Sequence, residues 1–140
     1  MKLKVVWKKS EDPEDYLEVI PYEDNLDEVC ENGEATEILT ENIIDYLKAD
    51  EVGDFINKCI SKLRHGGFLT LDGTDFSEIV RLYYNAAIDL AKTNLLLFGE
   101  GNKKSISSGY ELSEALTDVG LTVDKCRYEN GRYLIKAVRP

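Results

Sequence analysis

Residues 50–64, DEVGDFINKCISKLR, place Val52, Phe55, Ile56, Cys59, Ile60 and Leu63 at i, i+3, i+4, i+7, i+8 and i+11. That spacing draws one apolar stripe along an α-helix. Asp50 can cap the start, and Gly66-Gly67 can stop the end. The residues that follow, FLTLDG (68–73), read as a strand. A helix that buries one face and delivers the chain into a strand is half of a βαβ unit. It constrains the chain to an α/β sandwich with a mostly parallel sheet.

The other segments agree. KLKVVW (2–7), YLEVIPY (16–22) and ATEILT (35–40) read as short strands. Segment 23–34 is the least decided, with room for one helical turn and a turn at Asn32-Gly33. A helix opens on Asp75 with Glu78 three residues later, a capping box. Its pattern runs to about Thr93 and turns Phe76, Ile79, Val80, Tyr83, Ala87 and Leu90 inward, with Tyr84 at the core edge. Stretch 94–109 starts apolar and becomes a Gly, Ser and Lys loop. Ser108 and Glu111 then open a short helix through Val119. Asn130-Gly131 between LTVDKCRY and RYLIKAVR predicts a closing antiparallel hairpin with a two-residue turn. A length of 140 residues fits a single domain over 1–140. Ligands of such sheets bind at the carboxyl ends of the strands. The loops that matter are therefore 8–15, 22–34, 40–46, 72–76 and 99–109.

Charge narrows the partners. The net charge is −10, and residues 11–47 carry fourteen Asp and Glu with no Lys or Arg. Such a surface repels phosphate, so no nucleic acid is expected; a basic protein partner could dock there. Lys103 and Lys104 form the one small basic spot at the expected site. No apolar run approaches the roughly 20 residues of a membrane span, and the start lacks a signal-peptide pattern. The expectation is a cytoplasmic protein. Cys30, Cys59 and Cys126 have neither disulfide-framework nor metal spacing, so no metal is expected. Cys59 falls on the helical stripe as a core residue. His65 is the only histidine, placed in a helix-ending turn where its charge suits the helix dipole.

Two stretches together carry a family resemblance. TEILTENIIDYLKADEVGDFINKCISKLRHGGFLTLDGTDFSEIVRLYY (36–84) resembles the second half of class I S-adenosylmethionine-dependent methyltransferases. It is most similar to the small methyltransferases of surface-glycan and phage gene contexts. Those have an "EIYASHVLEHF"-like strand and helix start, then "LKPGG", a strand and "PDF". NLLLFGEGNKKSISSGYELSEALTDVGLTV (94–123) resembles that group's apolar-FGG loop and "HKSGY" helix start. The resemblance covers about residues 35–139. It implies a three-layer Rossmann-like methyltransferase sandwich and S-adenosylmethionine as cofactor. By position, Glu23 or Asp24 would hold the ribose hydroxyls, and Thr40, Glu41, Asn42 and Asp72 would line the cofactor mouth.

The chain departs from that pattern in its first third. The family's first strand enters a glycine-rich loop that lets the backbone approach the methionine part of the cofactor. Here KLKVVW runs into KKSEDPED, and no glycine occurs before Gly33. Asn42 and Tyr46 stand where the group has histidines. The family's third strand and the helix before it have only 23–34 to occupy, so the fold is expected to be truncated. Methyl transfer depends mainly on in-line placement, so lost histidines matter less than a lost cofactor loop. The expected function is a degenerate, non-catalytic binding or scaffold module. The alternative is an active methyltransferase on a glycan or another small acceptor. The active reading expects an open cleft beyond strands 2–7 and 35–40. The module reading expects that cleft filled by Trp7, Tyr16 or Tyr22. A homodimer through an exposed sheet edge is a further expectation.

Overall fold

In the computed structural model, which describes all 140 residues, β1 (Lys2–Val5) lies between β2 (Leu17–Val19) and β3 (Ala35–Thr40), parallel to both. Next to β3, and parallel to it, runs β4 (Leu63–Thr74). β5 (Thr122–Glu129) and β6 (Arg132–Val138) close the sheet as the antiparallel hairpin that Asn-Gly predicts. The sheet order is β2-β1-β3-β4-β6-β5. The expected α/β class, mostly parallel sheet and closing hairpin are all present.

The helices are α1 (Leu26–Val29), α2 (Ala49–Lys62), α3 (Phe76–Tyr84), α4 (Leu90–Phe98) and α5 (Gly109–Asp118). The stripe of α2 buries Ile56 and Cys59 against the sheet, with Val52, Phe55 and Ile60 packed beside them. Each large apolar side chain fully removed from water contributes about 1.5–3 kcal/mol. Parallel strands connect by right-handed crossovers. Because β1→β2 and β3→β4 run in opposite directions across the sheet, their connections cover opposite faces. The β3→β4 connection contains α2. The β1→β2 connection, residues 6–16, contains no helix.

The truncation therefore falls on one layer. Leu3, Ile38, Leu69 and Ala137 share one face through the strand register, and all are fully buried. The alternate residues Lys4, Leu39, Thr70 and Lys136 share the other face and stay partly accessible. Sheets with parallel strands normally carry helices on both faces. Here buried and accessible residues alternate along the strands, the mark of a sheet covered on one side.

Several expectations are corrected. The helix predicted over 50–64 ends at Lys62, and Leu63, Arg64 and His65 are already extended in β4. The glycine pair serves the strand instead. Gly66 has φ +81°, and a Cβ on Gly67 would sit 3.0 Å from the Ala35 carbonyl oxygen. His65 thus does not end a helix; its Nδ1 lies 2.8 Å from the Pro140 carbonyl oxygen. Lys48 rather than Asp50 is at the N-cap of α2. The helix predicted over 75–93 breaks after Tyr84, where Ala86 turns to φ +58° and Asp89 caps α4 by accepting from the Lys92 amide at 2.8 Å. The break takes Phe76, Val80, Tyr83 and Leu90 away from the core, leaving only Ile79 buried in α3. Tyr84 is 87% exposed, not at the core edge. The predicted strand 16–22 is reduced to three residues, because a turn at 20–24 takes its carboxyl end.

Candidate functional site: the carboxyl ends of the parallel strands

The connections from β1 and β3 leave toward opposite faces, so the crevice between their carboxyl ends is the topological switch point where ligands of such sheets bind. Each of the three N-terminal strands places one aromatic residue there. Trp7 follows β1, Tyr22 follows β2, and Tyr46 closes the 3₁₀ turn after β3. The rings of Trp7 and Tyr46 stack across the crevice, with centroids 5.5 Å apart and planes 26° from parallel. Trp7 also meets Tyr22 edge to face at 6.3 Å. The Lys104 ammonium lies 5.2 Å from the Tyr22 ring centre, a cation–π contact from the far loop. Sequence reading named Trp7 and Tyr22 as fillers but not Tyr46. Tyr16 lies elsewhere, at the amino end of the sheet. Its hydroxyl donates to Glu37 at 2.7 Å, and that bond pushes its pKa up to about 12.

The loop between β1 and β2 is pinned by its own polar groups. The Ser10 amide and hydroxyl both donate to the Glu18 carboxylate, at 2.7 and 2.5 Å. Those bonds hold the Glu18 pKa below the ordinary carboxylate value. Glu14 sits at φ +58° beside Pro13, whose carbonyl accepts from the Tyr16 amide. Glu23 is exposed on the turn after β2. Asp24 accepts from the Ile20 amide at 2.9 Å and pairs with Lys9 at 3.5 Å; the amide bond holds its pKa below the ordinary carboxylate value.

Past β3 the residues separate. Thr40 is buried and donates its hydroxyl to the Thr70 carbonyl at 3.1 Å. Glu41 is exposed, 3.5 Å from Lys4. Asn42 takes φ +56°, a conformation Asn tolerates better than most residues. Its amide donates to Asp72 Oδ1 at 3.0 Å, and Arg132 bonds to both Asn42 Oδ1 and Asp72 Oδ2. The structure thus brings Asn42 and Asp72 together with Arg132, which sequence reading missed. Burial pushes the Asp72 pKa up, against the opposing pull of the Asn42 amide and Arg132.

A second cluster that sequence reading missed locks the loop after α4. Asp45, 2% exposed, accepts from the Thr74 amide at 3.1 Å and the Thr74 hydroxyl at 2.8 Å, and lies 3.5 Å from Lys103 Nζ. Its carbonyl accepts from the Lys104 and Ser105 amides. Lys103 also donates to the Leu96 carbonyl, so it is a half-buried tie and not a free basic spot at the mouth. The available signal was a lone acid inside the apolar run NIIDYL. Asp75 is the N-cap of α3, its Oδ2 accepting from the Glu78 amide at 2.9 Å, and its Oδ1 also accepts from the Gly109 amide at the start of α5 at 2.7 Å. One cavity at these strand ends, of about 380 Å³, lies between α1 and α2 against Val5, Val19, Leu26 and Phe55, and another, of about 410 Å³, lies beside Asp72 and Arg132.

This architecture is shared with methyltransferases. An O-methyltransferase family protein from Burkholderia thailandensis aligns over 89% of this chain and 36% of its own, at 18% identity and TM-score 0.60. A SAM-dependent methyltransferase from Archaeoglobus fulgidus aligns over 91% of this chain and 69% of its own, at 11% identity and TM-score 0.58. The Burkholderia thailandensis 1,6-didemethyltoxoflavin-N1-methyltransferase, solved with its substrate and S-adenosylhomocysteine, aligns over 97% of this chain and 60% of its own, at 12% identity and TM-score 0.60. No protein-family model and no curated protein matches the sequence. The chain has a methyltransferase-like fold, and spans about a third to two-thirds of the length of these structures. No helix is long and apolar enough to cross a membrane.

Proposed function

We propose that the chain is a non-catalytic methyltransferase-like module that acts by binding, its cofactor crevice closed by its own side chains. The observation that carries this reading is the Trp7–Tyr46 stack across the switch point. A sulfonium cofactor placed there would have to displace the stacked rings, and offset aromatic pairs are worth about 0.5–1.5 kcal/mol beyond the area they bury. It would also meet the pinned acidic loop 8–15, where the family resemblance implies glycines and close backbone approach. Asp24, to which with Glu23 the resemblance assigns the ribose, already serves the Ile20 amide and Lys9. The residues present at this crevice therefore do not fit S-adenosylmethionine.

The alternative is S-adenosylmethionine-dependent methyl transfer to a glycan or another small acceptor. The cavity between α1 and α2 favours it, because a nucleoside-sized group fits about 380 Å³ at the ends of β1 and β2. Trp7 is the only tryptophan, so its fluorescence reports on the crevice directly. The deciding experiment is titration with S-adenosylmethionine and S-adenosylhomocysteine, followed by calorimetry and Trp7 emission. The module reading expects neither heat nor an emission change up to about 1 mM ligand; micromolar binding with a Trp7 shift would overturn it.

A further inference from the structure

The uncovered sheet face is divided by charge. On the β5–β6 side, Lys125, Arg127, Lys136 and one carboxylate, Glu129, project from it through the strand register, and none of the four is in an ion pair. On the β2 side the same face is crossed by loop 10–16, held down by Ser10 on Glu18 and Tyr16 on Glu37. That loop carries Glu11, Asp12, Glu14 and Asp15, also without ion pairs. Between the two halves lie Leu39, Phe68 and Leu134, with the Lys136 ammonium 4.2 Å from the Phe68 ring centre. Free cations thus predominate on one half of an open face in a chain of net charge −10, with Glu129 the one free carboxylate among them, and free carboxylates predominate on the other, with Lys2 the one free cation.

We infer that this face is the contact surface between two copies of the chain. A two-fold axis in the interface, parallel to the strands, lays the β5–β6 half of each copy on the β1–β2 half of the other. Cations then meet carboxylates twice, and the central apolar residues meet each other. An axis perpendicular to the strands would set like charges together, so the charge pattern selects the first arrangement. Six strands at about 4.8 Å and about 20 Å of strand length give a footprint of roughly 580 Å² per copy, or about 1,150 Å² in total. That passes the roughly 1,000 Å² of a specific interface and sits at the weak end of the range. The edge of β5 is a poorer candidate, because the register shifts at Asp124 and charged residues guard it.

The test is sedimentation equilibrium of the full chain at low and high salt. The wild type is expected to dimerise, with its Kd rising at least tenfold between about 50 and 500 mM salt. R127E/K136E and D12K/E14K are each expected to be folded monomers by circular dichroism, while their equimolar mixture dimerises, since each charge reversal repairs the other. The wild-type salt series needs no variant and stands even if one fails to fold. A wild type monomeric at about 1 mM and low salt, a dimer indifferent to the reversals, or a mixture that stays monomeric would each overturn the inference.

Discussion

Two of the three parallel crossovers of this sheet, those that join neighbouring strands, do the same topological job with opposite means. Between β3 and β4 the chain invests fourteen helical residues, Ala49–Lys62, and buries their apolar stripe. Between β1 and β2 it uses a helix-free loop held by Ser10 and Tyr16. A crossover sets strand order whether or not it contains a helix. What the helix adds is a layer, so its absence leaves a sheet face open and brings polar residues into alternate strand positions. The same loop ends the route by which a glycine-rich turn would have met a cofactor. One local change thus accounts for both the bare face and the altered crevice.

The largest expected effect separates the faces. Leu69→Ala, under α2, should cost about 2–5 kcal/mol in urea unfolding, whereas Leu39→Ala on the open face should cost less than about 1.5 kcal/mol. Equal costs would show that the open face is packed after all. Next is the tie between the halves. Asp45→Ala removes the only carboxylate beside the half-buried Lys103 and the acceptor of the buried Thr74 amide, and should cost about 3 kcal/mol. It should also raise amide exchange in residues 99–107, whose anchoring acceptor is the Asp45 turn. Trp7→Ala is expected to cost about 1 kcal/mol, its ring being 47% exposed. It should leave S-adenosylhomocysteine binding undetectable, because loop 8–15 still lacks glycine. Micromolar binding by that variant would mean that the rings alone close the crevice.

The smallest effect is a pH dependence in the loop crossover. Glu18 binds its proton more weakly in the folded chain than in the unfolded one, because Ser10 donates to its carboxylate. Its contribution is therefore complete above the ordinary value of 4.5 and is lost as pH falls through the lowered folded value. Ser10→Ala should lower stability at neutral pH, with the difference from the wild type vanishing as pH falls through the lowered folded value, and so flatten the acid side of the stability profile. An unchanged profile would show that Ser10 does not hold Glu18.

Local codes made much of the fold legible. The stripe of α2, the capping role of Asp75 and the Asn130-Gly131 turn are each satisfied within a few residues, so they could be read in order along the chain. The long helix over 75–93 was misread because its apolar spacing continues across residues 85–89, where Ala86 reverses the backbone. Within the site, Trp7 and Tyr22 were legible as bulky residues after strands. The stacking of Tyr46 on Trp7 and the part played by Arg132 were not, since their partners come from strands far away in sequence.

By itself the sequence determined the stripe of α2, the start of α3, the hairpin, the lack of glycine before Gly33 and the acidic first third. Those follow from periodicity, backbone freedom and charge, which are properties of short stretches. Only the tertiary structure decided that Trp7 stacks on Tyr46, that Asp45 is buried against Thr74 and Lys103, and that one face of the sheet is open. These depend on strand order and on which face each crossover takes. The physical reason is that a side chain's direction follows from local geometry, while what it meets follows from the arrangement of the whole sheet.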